Sequence, residues 1–171
     1  MFIKSTLKRP LSEVLELVEF AASVSKADLS TVQVNIKNSH RGSGGGMAYY
    51  GMPKGRYSAN SNDNEATRLV TLRVGGDEFF PRSNMCYKWV QRKYKNKRWH
   101  EKKETHPYGG KSSPLIVCDD WREWLVALAA HEFNHIHQYQ QDLPRSEVEC
   151  EKAALAALTA YREKHDPKAT T

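Results

Sequence analysis

The tightest constraint in this 171-residue chain is one short string, His131-Glu132-Phe133-Asn134-His135. Residues four apart on a helix share a face, about 40° apart in projection. Both imidazoles can then reach a single ion, while Glu132 can contact a water at that ion without being a ligand. Zinc sites served by a carboxylate base need this spacing on a helix. The surrounding sequence predicts that helix from about Asp120 to Gln141, opened by Asp120 with Glu123 three residues later in the manner of a capping box. Trp121, Leu125, Leu128 and Tyr139 fall on or near the face that carries Glu132 and His135. A polar group on an apolar stripe is costly unless hydrogen bonds or a metal satisfy it. One Zn2+ per chain is therefore the expected cofactor, with His131 and His135 as ligands.

A third ligand has to come from downstream. Positions 138 and 141 are both Gln, so the motif is not extended by a Gly and a further His. Asp142 to Arg145 read as a turn, and a second helix runs from a Ser146 cap to about Lys164, bringing Glu147, Glu149 and Glu151. Helical phase puts Glu147 and Glu151 with Cys150, Ala154, Leu155 and Leu158, the apolar side. Glu149 falls with Lys152, Ala153 and Ala156. Glu147 is the best-placed inward carboxylate, and Glu151, one turn on, suits a hydrogen bond to a ligand histidine. Spacing alone leaves the choice among the three acids open.

Elsewhere the chain alternates between helical and strand patterns. Residues 11–26 read as a helix capped by Ser12, with a stripe of Leu11, Leu15, Val18 and Ala22 widened by Val14 and Leu17. Residues 31–37 and 67–74 alternate as half-buried strands. Arg41 to Gly46 is glycine-rich without a phosphate-loop Lys, and reads as a turn or a loop near the cleft. The MAYYGM string after it suggests a short strand, 56–66 a surface loop, 85–95 a short helix and 115–118 a short strand. The stretch from Lys95 to Pro114 is polar and without period. This order predicts an α+β single domain over 1–171, with helices on one face of a small, mainly antiparallel sheet. The basic segment 88–113 is a candidate mobile insertion.

The string ALAAHEFNHIHQYQQDLPRSEVECEKAALAAL resembles the gluzincin class of zinc metallopeptidases, and is most similar to the compact members found in phages and mobile elements. Their pattern is His-Glu-x-x-His, a short turn, then Glu-x-x-small-acid or amide on the next helix. Here the second part is Glu147-Val148-Glu149-Cys150-Glu151, with Cys150 where Ala is usual. The likeness runs from Asp119 to Leu158. It implies a zincin-like fold, Glu147 as third ligand, and strand 67–74 lying above the site to pair with an extended protein or peptide substrate. The implied activity is hydrolysis of peptide bonds by a zinc-activated water, with Glu132 as general base. Tyr139, His106, Tyr108 and Tyr161 are candidates for the second donor to the oxyanion. His137 stands about 120° from the ligand pair along the helix.

Charge adds a second theme. Residues 88–104 hold eight Lys/Arg against two Glu, the whole of the chain's +6. Trp89, Tyr94 and Trp99 interleave with Lys88, Arg92, Lys93, Lys95, Lys97 and Arg98, a pattern suited to stacking bases while contacting phosphates. A solvated basic face, or steering of an acidic substrate, would use the same residues. The alternative function is thus a basic nucleic-acid-associated protein whose zinc site is structural. Cys86, Cys118 and Cys150 are odd in number and form no Cys-x-x-Cys, so reduced thiols are expected. No apolar run reaches about 18 residues and the first ten residues do not resemble a signal peptide, so a cytoplasmic protein without a membrane partner is expected.

Overall fold

The computed structural model describes residues 1–39, 44–53, 65–83, 89–95, 98–104, 114 and 116–165. Its first three elements form a βαβ unit. Strand β1 (Phe2–Ser5) runs parallel to β2 (Val32–Asn38), with Ile3 opposite Val34. Helix α1 (Leu11–Ser23) makes the crossover that parallel neighbours require. β2 pairs in parallel with β4 (Arg68–Val74), Val34 opposite Val70 and Ile36 opposite Leu72. β3 (Gly44–Ala48) lies antiparallel to β4 and ends the sheet, whose order is β1-β2-β4-β3.

The sheet is thus mixed and mostly parallel, which corrects the expectation of a mainly antiparallel one. Two features hid this. β1 has only four residues, too few to show a period, and β4 inserts between β2 and β3, so these two consecutive strands are not neighbours in the sheet. β2 carries the mark of the arrangement. Val32, Val34 and Ile36 are buried, as the alternation requires, but Gln33 and Asn35 on the other face are buried too, joined Nε2 to Oδ1 at 2.8 Å. Strands covered on both faces are characteristic of parallel sheets.

Three helices pack with this sheet. α1 buries Val14, Leu17, Val18 and Ala21. It starts one residue before the expected cap: the Pro10 carbonyl accepts from Val14 N–H at 3.1 Å, Ser12 lies inside the first turn, and Leu11 is exposed. α2 (Trp121–Gln140) begins as expected, with the Asp120 carboxylate accepting from the N–H groups of Arg122 (2.8 Å) and Glu123 (3.0 Å). Leu125, Val126, Phe133 and Ile136 of α2 are fully buried. Each such side chain contributes about 1.5–3 kcal/mol, which keeps a segment holding three histidines helical against their modest propensity. α3 (Glu147–His165) follows a short turn, with Ser146 Oγ accepting from Glu149 N–H at 3.4 Å. Arg162 near its far end donates to Glu123 at 2.7 Å and ties α3 back to the start of α2.

Between β4 and α2, a two-residue pairing of β5 (Arg82–Ser83) with β8 (Val117–Cys118) brings the ends of a long excursion together. Within it, β6 (Trp89–Lys95) and β7 (Arg98–Glu104) form an antiparallel hairpin with Trp89 opposite Glu104 and Lys95 opposite Arg98. This corrects the short helix expected at 85–95 and the patternless reading of the stretch after Lys95. Seven positions of each strand are in register with the other, and Trp, Val and Tyr favour that state. Lys88, Lys97, Cys86, His40, His106 and Tyr108 lie outside the described residues. No described helix is long and apolar enough to cross a membrane.

Candidate metal centre

α2 and α3 are joined by six residues, 141–146, and the turn is built to hold its geometry. Asp142 takes a left-handed conformation at φ 50°, and Leu143 N–H donates to the Gln138 carbonyl at 2.9 Å. The buried Gln138 side chain then grips Ser146 twice: its Nε2 donates to the Ser146 carbonyl at 3.0 Å and its Oε1 accepts from Ser146 N–H at 3.3 Å. The start of α3 is thereby fixed against the last turns of α2, which faces Glu147 toward His131 and His135.

Glu147 Oε2 stands 3.2 Å from His131 Nε2 and 3.4 Å from His135 Nε2. Behind the imidazoles, His131 Nδ1 is 3.5 Å from Glu151 Oε1. His135 Nδ1 is 3.0 Å from Gln138 Oε1 and 3.3 Å from Cys150 Sγ. Gln138 Oε1 can only accept, and the two bonds to Ser146 fix which end of the amide is oxygen. His135 Nδ1 therefore carries the hydrogen, and Nε2 is the atom that faces Glu147. A neutral His135 would point a lone pair at a carboxylate oxygen. The slot between them calls for a cation, either a proton or a metal. The apo electrostatics agree: although burial, the largest single influence, pulls the other way, hydrogen bonds to Cys150 and Glu147 push His135 up to about 10. The Glu147 carboxyl is held well below the usual carboxylate range by its bonds to His131 and His135.

His131, His135 and Cys150 bring ligand atoms within 4.8 Å of one another, a cluster that could hold a metal ion. Glu149, the third acid on the early part of α3, points away: it pairs with Lys152 at 2.8 Å on the exposed side. His137 stays apart too, its Nδ1 buried without a hydrogen-bond partner.

Glu132 is 5% exposed and lies beneath β3. The backbone of Ala48 hydrogen-bonds its carboxylate, and a β-carbon built at Gly46 would come within 2.7 Å of its carboxyl carbon. Burial pushes the Glu132 carboxyl up, opposed by the two imidazoles and by Ala48. A raised carboxylate beside two histidines suits a group that must take a proton and give it back. Two glycines of the Gly-rich stretch thus have structural causes. Gly46 leaves room for Glu132. Gly44 adopts φ +98°, where a side chain would also meet the Arg73 carbonyl. Gly44–Ala48 is a strand over the site, a placement that composition did not reveal.

That placement corrects a further expectation. Strand 67–74 corresponds to β4, which is paired on both sides, to β2 and β3, and has no free edge for a substrate. The strand next to α2 at the sheet edge is β3. Tyr139 joins the centre: its ring stacks on His135 at 6.3 Å, its hydroxyl is 3.5 Å from the Ala48 carbonyl, and Tyr50 packs edge-on against it at 5.6 Å. Tyr161 packs on Phe20 and His165 instead. Gln138, Gly46 and Arg145, which reaches Glu147 Oε1 at 3.1 Å, are the participants that spacing did not single out. Only Gln138's place three residues after His135 could have signalled its contact. The comparisons with family models, with curated proteins and with solved structures find no match to this chain.

Proposed function

We propose that the chain is a zinc-dependent hydrolase that cleaves peptide bonds of a protein substrate, with His131, His135 and Glu147 holding the ion and Glu132 as general base. One observation carries the reading. Ligands about 2.0–2.1 Å from a tetrahedral zinc stand about 3.3–3.4 Å apart. The two Nε2-to-Oε2 separations are 3.2 and 3.4 Å, long for charge-assisted hydrogen bonds, which prefer about 2.7–2.9 Å. Cys150 is the rival third ligand. Its sulfur lies on the Nδ1 side of His135, where Gln138 already takes the hydrogen, so it serves better as a neighbour of the ligand than as a ligand.

Zinc bound there supplies Lewis acidity, polarising a carbonyl oxygen and acidifying a water. Glu132 accepts a proton on its carboxylate and passes it to the departing amine. The Ala48 N–H and the space at Gly46 hold that carboxylate in place. An extended peptide laid along the edge of β3 would gain main-chain hydrogen bonds beside the ligands. Tyr139, against His135, is the donor best placed to assist the developing oxyanion.

Elemental mass spectrometry on protein purified without chelator tests the assignment. Wild type and Glu132→Gln should hold about one zinc per chain, and His135→Ala and Glu147→Ala little. Glu132→Gln should retain the metal and lose hydrolysis of a quenched-fluorescence peptide mixture. A folded wild type that takes up no zinc when supplied would sink the proposal.

A second reading comes from the hairpin. Its register sets Lys95 opposite Arg98, two like charges, and Arg92 opposite Glu101. Opposed like charges weaken a two-stranded ribbon that is marginal on its own, and a polyanion would offset them. We propose single-stranded nucleic acid as that polyanion, because Trp89, Tyr94 and Trp99 share the ribbon. A labelled oligonucleotide should bind with strong salt dependence, and neutralising Arg92, Lys93, Lys95 and Arg98 together should flatten the salt slope.

A further inference from the structure

We infer that Arg145 determines how Glu147 meets the metal, restricting it to one oxygen and keeping the fourth coordination position open. This rests on the ligand set proposed above. The two oxygens of Glu147 have different surroundings. Oε2 faces the imidazoles. Oε1 accepts a hydrogen bond from Arg145 Nε at 3.1 Å, and an Nη of the same guanidinium lies 3.1 Å away in the ion pair. One lone pair of Oε1 is taken by that bond, and the fixed guanidinium charge beside the oxygen repels a second cation from it.

The physical consequence concerns the ligand count. A carboxylate free at both oxygens can swing to hold an ion bidentately, as it does around larger cations. With Oε1 held by the guanidinium, Glu147 offers Oε2 alone and the protein supplies three ligands, the number that leaves a zinc site open to water and substrate. Arginine suits this task because its guanidinium is always charged and rigidly planar, whereas a lysine ammonium is a flexible point donor. Arg145 sits in the turn fastened by Gln138 and Ser146, so the guanidinium is delivered two residues before the carboxylate it grips. Its side chain is 63% exposed, so shortening it opens no cavity in the core.

Cobalt(II) in place of zinc makes coordination number visible, because four-coordinate cobalt absorbs severalfold more strongly in the visible than five-coordinate cobalt. The full chain should take up one cobalt and show the intense four-coordinate spectrum. Arg145→Ala, with its fold checked by circular dichroism, should still bind cobalt but lose intensity severalfold as Glu147 becomes bidentate. Arg145→Lys, keeping the charge and one donor, should fall between. A cobalt-loaded Arg145→Ala whose spectrum superimposes on wild type would overturn the inference. Wild type without cobalt uptake, or His135→Ala with undiminished uptake, would instead refute the ligand set beneath it.

Discussion

Gly46→Ala probes the contact between the edge strand and the proposed base without touching any ligand. A β-carbon there would lie 2.5 Å from Glu132 Cγ and 2.7 Å from its carboxyl carbon. Ordinary carbon contacts are about 3.5–4.0 Å, so strand or side chain must shift by roughly 1 Å. Glu132 is buried under β3 and has little room to yield, and overpacking of this kind costs about 1–3 kcal/mol. Gly46 is not among the positive-φ residues. Without the clash, the substitution would therefore gain about 0.4–1 kcal/mol by restricting the unfolded chain. Glu132→Ala removes the clashing atoms. The design is a double-mutant cycle on the metal-free protein: urea melts of wild type, Gly46→Ala, Glu132→Ala and the double variant, in chelator. Gly46→Ala should destabilise by about 1–3 kcal/mol in the Glu132 background and be neutral or stabilising when residue 132 is Ala. An equal cost in both backgrounds would refute the claim that β3 holds this carboxylate. Zinc content of Gly46→Ala should match wild type, since the proposed ligands lie on α2 and α3. Hydrolysis should drop about 100-fold, the usual penalty for roughly 1 Å of misplacement.

Further expectations concern the ligand set and its protons. Cys150→Ala should keep about one zinc per chain while Glu147→Ala loses it; elemental analysis giving the reverse would make the sulfur the third ligand. Gln138→Leu removes the acceptor that fixes His135 Nδ1–H and both bonds to Ser146, so zinc affinity should fall about 10–100-fold in chelator competition. An unchanged affinity would show that the turn needs no such fastening. Zinc binding at pH 7 should release about one proton, because it displaces the one on His135, whose folded value is about 10. Calorimetry in buffers of different ionisation enthalpy reads that number, and a slope of zero would contradict it.

The N-terminal cap at Asp120, the helix that follows and the Ser146 start of the next were legible in the sequence, because caps and helical periods are local. Glu147 was legible as an inward carboxylate for the same reason: phase along a helix survives without tertiary information. β1 was not, because Phe2–Ser5 shows its partner only through parallel pairing with residues some thirty positions away. The glycines of β3 look like a loop in sequence because glycine carries no strand propensity. Their conformation is imposed by β4 on one side and by Glu132 beneath. β6 lies in a short mixed segment that shows neither period clearly, so helix and strand look alike there, and β7 lies in a polar stretch with no period. The contacts of Arg145 and Gln138 depend on how the six residues between α2 and α3 turn, which no spacing rule describes.

What unites the site is a slot that wants a cation, and its pH dependence separates the two cations that can fill it. In the metal-free protein His135 has a folded value near 10 against an ordinary 6.5, so its stabilisation is complete below 6.5 and is lost as pH rises toward 10. Glu147 is depressed from 4.5, so its share is complete above that value and is lost as pH falls through its lower folded value. Both are therefore fully present between about 4.5 and 6.5. Above 6.5 the unfolded chain gives up its proton while folded His135 keeps its own, and only near 10 is the facing carboxylate left against a lone pair. A metal in the same slot does not leave as pH rises. Zinc should therefore raise the melting temperature by an increment that grows from pH 6.5 to about 10, as affinity climbs about tenfold per unit. Melting curves with and without zinc across that range measure the increment directly. If it were flat with pH, zinc and the His135 proton would not be competing for one place, and the centre would lie elsewhere.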